Sequence, residues 1–151
     1  MQVEWKFDLE SINWEIVSHL YKIAPLGDKK AEDLCTVFGN SMFKCFAFKG
    51  DQLIGAGRVL ADGLDCAYIC DVVVHPEYQG TGIGKSLMTK LMDLSQGHKK
   101  IILYSNPGKE GFYEKFGFRF MKTAMAIFQD QATALARGFI CEREEQKPYR
   151  R

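Results

Sequence analysis

The chain has 151 residues, 46% of them apolar and 26% charged, and a formal net charge of +1. That length suits one domain with a buried core, and the composition is that of a folded chain rather than a disordered one. The charge balance offers no basic excess for nucleic acid and no charged block for a membrane surface, and no apolar run approaches a membrane span of roughly 20 residues. The opening Met1-Gln2-Val3-Glu4-Trp5-Lys6 alternates and lacks the apolar centre of a signal peptide. Cys35, Cys45, Cys66, Cys70 and Cys141 form no C-x-x-C pair. Their odd number suggests reduced thiols in a cytoplasmic compartment. Cys66 and Cys70 share a strand face, but a zinc site needs two more ligands and the three histidines are scattered, so no metal is expected.

In chain order, Val3, Trp5 and Phe7 alternate as a first strand. Ile12, Ile16, Val17 and Leu20 have helical spacing over residues 11–22, with Ser11 as the expected N-cap. Pro25 and Gly27 break the chain. Asp28 is placed to cap a second helix to about residue 38, closed by Gly39-Asn40. Trp14, Tyr21, Phe38 and Met42 on or beside these helices read first as core. Residues 43–49 and 53–60 form a hairpin about Gly50-Asp51, and Ala61-Asp62-Gly63 is the next turn. Residues 66–74 are a central strand whose apolar run implies burial on both faces. Asp71 stands inside it, and an ionised carboxylate there needs a partner or solvent. Further on come a helix over residues 82–96, a short strand over 100–104, a helix over 109–116, one or two closing strands over 118–128 and a short helix over 131–137. One domain over residues 1–140 is expected, followed by a charged, mobile tail over 141–151.

The most informative run is Val72-Val73-Val74-His75-Pro76-Glu77-Tyr78-Gln79-Gly80-Thr81-Gly82-Ile83-Gly84-Lys85-Ser86. Pro76 stops the strand, a glycine turn follows, and Leu87, Leu91 and Leu94 begin a helical stripe. Glycines let consecutive N–H groups face one concavity, and a helix N-terminus adds about half a positive charge, so this layout holds phosphate. A Walker A loop would need glycine at Gln79, and a dinucleotide fingerprint would need glycine at Lys85; both fail. Gln79, Gly82 and Gly84 do fit Gln/Arg-x-x-Gly-x-Gly/Ala.

That pattern resembles the acetyl-coenzyme-A signature of the GCN5-related N-acetyltransferases. Gly111-Phe112-Tyr113-Glu114-Lys115-Phe116-Gly117-Phe118, about thirty residues on, resembles the F-Y-E-K-x-G-F segment of the same family. The resemblance covers at least residues 43–128 and suits a small single-domain bacterial-type member. It implies an α/β fold (α+β): a mixed, mostly antiparallel sheet of six to seven strands with about four helices, whose central strand splays from its neighbour. Acetyl-coenzyme A would lie there, its pantetheine arm on the backbone of Val72, Val73 and Val74. Its pyrophosphate would sit on the N–H groups of Gly80, Thr81, Gly82, Ile83, Gly84 and Lys85. The Lys85 side chain either adds charge to the phosphates or is a solvated helix-start lysine. Asn106 either contacts the arm or is a turn residue before Pro107.

The implied chemistry is direct attack of an amine on the thioester. Tyr113 matches the family's general acid, and an ordinary phenol, with a pKa near about 10, is protonated at neutral pH. An N–H near Val72 or Val73 would meet the oxyanion. Asp71 has three open roles: base, recognition of the ammonium, or structural hydrogen bonding. His75, beside Pro76, reads as a surface residue. Tyr21 or Phe38 would wall the acceptor pocket if the helical pair encloses it. The arylalkylamine branch carries two histidines where Tyr68 and Cys70 stand here, so its histidine relay does not carry over. The expected partner is a small-molecule amine, with no nucleic acid or membrane; a strand near 118–128 is available to pair with a second copy as a homodimer. The alternatives are a non-catalytic acyl-coenzyme-A sensor, a protein N-acetyltransferase, or a nucleotide-binding protein built on Gly84-Lys85-Ser86.

Overall fold

A computed structural model describes residues 2–143. The chain divides into two compact units, Met1–Leu103 and Tyr104–Arg151. The first holds a five-stranded sheet in the order β1 (Glu4–Lys6), β2 (Phe43–Lys49), β3 (Gln52–Ala61), β4 (Cys66–Val74), β5 (Lys100–Ile102). Neighbours are antiparallel except β4 and β5, which run parallel. The two hairpins form where the turn residues predict. The Asp62 carboxylate accepts N–H bonds from Leu64, Asp65 and Cys66, which holds it down to about 2 and closes the β3–β4 turn.

Helices α1 (Trp14–Ile23) and α2 (Ala31–Gly39) bury Val17, Leu20, Tyr21, Leu34 and Phe38 with Phe46, Leu53, Ala56 and Val73 of the sheet. Phe38 lies over Phe46, with centroids 5.2 Å apart. Both helices begin later than their sequence signals suggest. Ser11 has φ 61, and Asn13 caps α1 by accepting the Glu15 N–H at 3.0 Å. Asp28 does not cap α2; Lys30 precedes it in extended geometry, because the chain before it is held by the Ser18 hydroxyl donating to Lys29 O. Helix α3 (Ile83–Leu94) presses Leu91 onto β3 so closely that a Cβ on Gly57 would meet Leu91 Cδ1 at 2.7 Å. A larger residue there would make the Leu91 side chain shift.

The second unit contains α4 (Glu110–Glu114) and α5 (Gln131–Ala136). Tyr104, Phe128 and Phe139 pack edge-on or tilted at 5.8–6.1 Å. Asp130 caps α5 through the Thr133 N–H. Residues 118–128, expected as closing strands, form no ladder, so the sheet has five strands among the described residues rather than six or seven. A strand exists through its hydrogen-bonding neighbour. This segment also breaks strict alternation, with Phe120 beside Met121 and both exposed. The expected tail lies mostly beyond the described residues. No helix among the described residues is long and apolar enough to cross a membrane.

One buried and one half-buried thiol give the fold a pH dependence. Burial pushes Cys45 up to about 12 and Cys70 to about 11. An unfolded thiol ionises near about 8.5. Above that value the unfolded chain binds fewer protons than the folded one, so this contribution is complete below pH about 8.5 and is lost as pH rises through the folded values. The urea midpoint should therefore fall between pH 8 and 10, and fall less steeply in the Cys45→Ala/Cys70→Ala double variant. Equal slopes in the two proteins would rule the thiols out.

Candidate active site

The site in the first unit is built where β4 parts from β5. Their pairing runs only from Cys66, opposite Lys100, to Tyr68, opposite Ile102. From Ile69 onward that edge of β4 has no strand beside it among the described residues. On the other side β4 stays paired with β3, but the register slips: Ala56 faces Val73 and Arg58 faces Cys70. One β3 residue, Gly57, therefore spans two on β4, Asp71 and Val72. This is a β-bulge, and Asp71 takes φ 53 in it, a left-handed conformation that aspartate tolerates better than most residues.

The bulge decides which backbone groups are free. His75 N–H donates to Ile54 O of β3 at 2.8 Å. Strand alternation then turns Val73 toward β3, where it faces Ala56, and turns Val72 and Val74 toward the open edge. Of the three valines grouped by the sequence, Val73 pairs with Ala56 of β3, and alternation turns Val72 and Val74 to the other side. Gln79 Nε2 donates to Val74 O at 3.3 Å, tying the turn to the strand end.

Pro76–Tyr78 form a 3-10 turn, with His75 Nδ1 accepting the Glu77 N–H at 3.1 Å. His75 is thus a capping residue here. Gly80 (φ 78) and Gly82 (φ 92) are both left-handed, and a Cβ on either would meet nothing within 4 Å. The first intrahelical bond of α3 runs from Ser86 N–H to Gly82 O at 3.0 Å, leaving the amides of Ile83, Gly84 and Lys85 without an intrahelical acceptor. Thr81 Oγ1 donates back to Tyr78 O, and the Lys85 side chain is exposed. The result is a row of free N–H groups at a helix start, facing open space. It fits a pyrophosphate, and the open β4 edge beside it fits an amide-bearing arm.

Asp71 is gripped at both ends. Its carbonyl accepts the Tyr21 hydroxyl at 2.5 Å. Its carboxylate accepts Arg58 Nε at 2.8 Å and pairs with Lys29 Nζ at 3.6 Å. Arg58 Nη1 donates in turn to Ser41 Oγ at 3.2 Å. Tyr21 and Phe38 are both fully buried, so neither walls an open pocket, as the sequence had suggested. Each helix directs its aromatic ring into the core, and Tyr21 acts from below by pinning the bulge. Burial, then the Asp71 charge, raises the Tyr21 hydroxyl well above the usual phenol range, so it stays a donor. The sequence alone assigns Arg58, Lys29 and Ser41 no role at this site. Arg58 was within reach, since the β3–β4 hairpin places it opposite Cys70, next to Asp71, and a strand aspartate demands a cation. Lys29 gave no local signal.

In the second unit Tyr113 lies on α4, half-buried between Phe112 (5.1 Å) and Phe118 (6.4 Å), and burial raises its phenol above the ordinary value. Asn106 is exposed and its carbonyl accepts the Lys109 N–H at 3.0 Å in the turn before α4.

A family model described as the acetyltransferase (GNAT) family matches residues 7–118. A glucosamine 6-phosphate N-acetyltransferase from Trypanosoma brucei brucei is 30% identical over 131 residues, 80% of this chain and 88% of that protein. An uncharacterized N-acetyltransferase, ycf52-like, from Prochlorococcus marinus is 35% identical over 85 residues; the match spans about half of each, 52% of this chain and 47% of that protein. Among solved structures, a GNAT-family acetyltransferase from Streptococcus pneumoniae aligns with a TM-score of 0.71 at 26% identity, covering 84% of this chain and 96% of that one. A probable acetyltransferase from Staphylococcus aureus aligns with a TM-score of 0.75 at 25% identity, covering 84% and 98%. The chain therefore belongs to the acetyltransferase (GNAT) family.

Proposed function

We propose that the protein moves an acetyl group from acetyl-coenzyme A to the primary amine of a small molecule, by direct attack with both substrates bound. The observation that carries this reading is the open edge of β4 running straight into a left-handed glycine turn with free helix-start amides. Acetyl-coenzyme A supplies an activated thioester. The amides of Gly80 to Lys85 hold its pyrophosphate, with Val72 and Val74 pairing along its arm. The Val72 N–H, set by the bulge, donates to the carbonyl oxygen as negative charge builds there. The Tyr113 phenol gives its proton to the departing sulfur. Asp71 already carries two cations on its carboxylate, which favours a holding role over proton acceptance.

Thermal unfolding with acetyl-coenzyme A, ATP and NAD in parallel tests the coenzyme. At 100 times its dissociation constant a ligand adds about 2.7 kcal/mol, and the midpoint should rise by roughly 5 °C with acetyl-coenzyme A alone. A shift with ATP instead, or with none of the three, would sink the reading. Primary amines, including the glucosamine 6-phosphate of the trypanosome relative's name, are then screened by separating the acetylated product, since five cysteines would confuse a thiol reagent. A coenzyme shift with no product from any amine would point to an acyl-coenzyme-A-binding module.

A further inference from the structure

The acceptor has to reach the thioester at the bulge, so it passes the side chain of Asp71. The charges around that side chain are unequal. Arg58 and Lys29 both face one carboxylate. Lys44 Nζ lies close by, donating to Ser41 O at 2.8 Å, while Ser41 Oγ takes Arg58 Nη1. Asp28, Glu32 and Asp33, the carboxylates nearest Lys29 in the chain, form no salt bridge among the described residues. The Asp71 carboxylate thus faces two cations, at 2.8 and 3.6 Å, with Lys44 opposite Arg58 in the strand register.

The donors are also underused. Arg58 spends Nε on Asp71 and one Nη1 bond on Ser41, and among the described residues its Nη2 donates to nothing. Its side chain is 13% exposed, and no side-chain donor among the described residues is both buried and unpartnered, so Nη2 is open to solvent and to a ligand. Lys29 sits 3.6 Å from Asp71, a loose pair, and its side chain is 34% exposed. A planar guanidinium with spare N–H groups beside a mobile ammonium suits a carboxylate or a phosphate. A polyamine or a plain arylalkylamine would bring further positive charge to a site that already has an excess of it.

Resting on the acetyl-transfer reading above, we propose that the acceptor carries an anionic group near its amine, and that Arg58 and Lys29 select it. Arg58 also orients Asp71, so Lys29 is the residue on which selection is tested.

The full-length protein, with acetyl-coenzyme A, is given matched amines with and without the anion: β-alanine against propylamine for a carboxylate, phosphoethanolamine against ethanolamine for a phosphate. Amino sugars with and without a phosphate, phenylalanine against phenethylamine, and spermidine complete the panel. Anionic members should have a kcat/KM at least about tenfold above their partners, a preference that shrinks with added salt. The better arm tells carboxylate from phosphate. Lys29→Gln should raise KM for anionic acceptors about fivefold with kcat nearly unchanged, and Lys29→Glu should remove or reverse the preference. Preference for neutral or cationic amines, or a ratio untouched by Lys29→Glu, would overturn the proposal and leave acetyl transfer standing. Acetylation of no amine by coenzyme-bound protein would overturn both.

Discussion

Gly82→Val is expected to weaken acetyl-coenzyme A binding by at least about 100-fold, or ~2.8 kcal/mol. Gly82 sits at φ 92 as the residue before α3, and the space its Cβ would enter is empty of protein. On the acetyl-transfer reading, a side chain there would crowd the helix-start amides proposed to hold the pyrophosphate. Valine brings a second effect, because a left-handed β-branched residue costs about 1–2 kcal/mol or more in backbone strain. Gly82→Asn separates the two. Asparagine tolerates the left-handed conformation but still fills the nest. Calorimetric titration of both variants, at a temperature where circular dichroism is native, should show both deprived of binding. Wild-type affinity in a folded Gly82→Asn protein would mean that the pyrophosphate lies elsewhere.

Tyr113→Phe should lower turnover by about 100-fold or more, the usual worth of a placed general acid, with coenzyme affinity changed by less than about twofold. Phenylalanine keeps the packing against Phe112 and Phe118 and removes only the hydroxyl that carries the proton. Burial raises the Tyr113 phenol, so its active, protonated form persists to higher pH than an unperturbed tyrosine allows. The wild-type kcat profile should therefore carry no tyrosine-dependent fall below pH about 10. Unchanged turnover in Tyr113→Phe would remove this residue from the mechanism. A fall below pH about 9 that disappears in the variant would overturn the argument from burial.

Much of the frame was legible without coordinates because its signals are local. The hairpin turns at Gly50-Asp51 and Asp62-Gly63 place β2 to β4, and the central strand has the predicted bounds, Cys66–Val74. The glycine turn could be read as a phosphate cradle because left-handed geometry at Gly80 and Gly82 is a property of glycine itself. Helix starts were misread at Ser11 and Asp28, where residues of the right type stood near the right place. The caps were decided by where the preceding chain was anchored.

The hairpin turns, the left-handed glycines before α3 and the bounds of the central strand thus follow from residue type and spacing along the chain. Those features are set by backbone preferences and by strand and helix periods that any single segment carries. The bulge at Asp71, the hydroxyl of Tyr21 that holds it, and the grip of Arg58 and Lys29 on its carboxylate were decided only in three dimensions. A bulge is an offset between two strands, and a buried charge is matched by whichever cation packing brings near. The fate of residues 118–128 was decided in the same way, since a strand cannot form until another edge receives it.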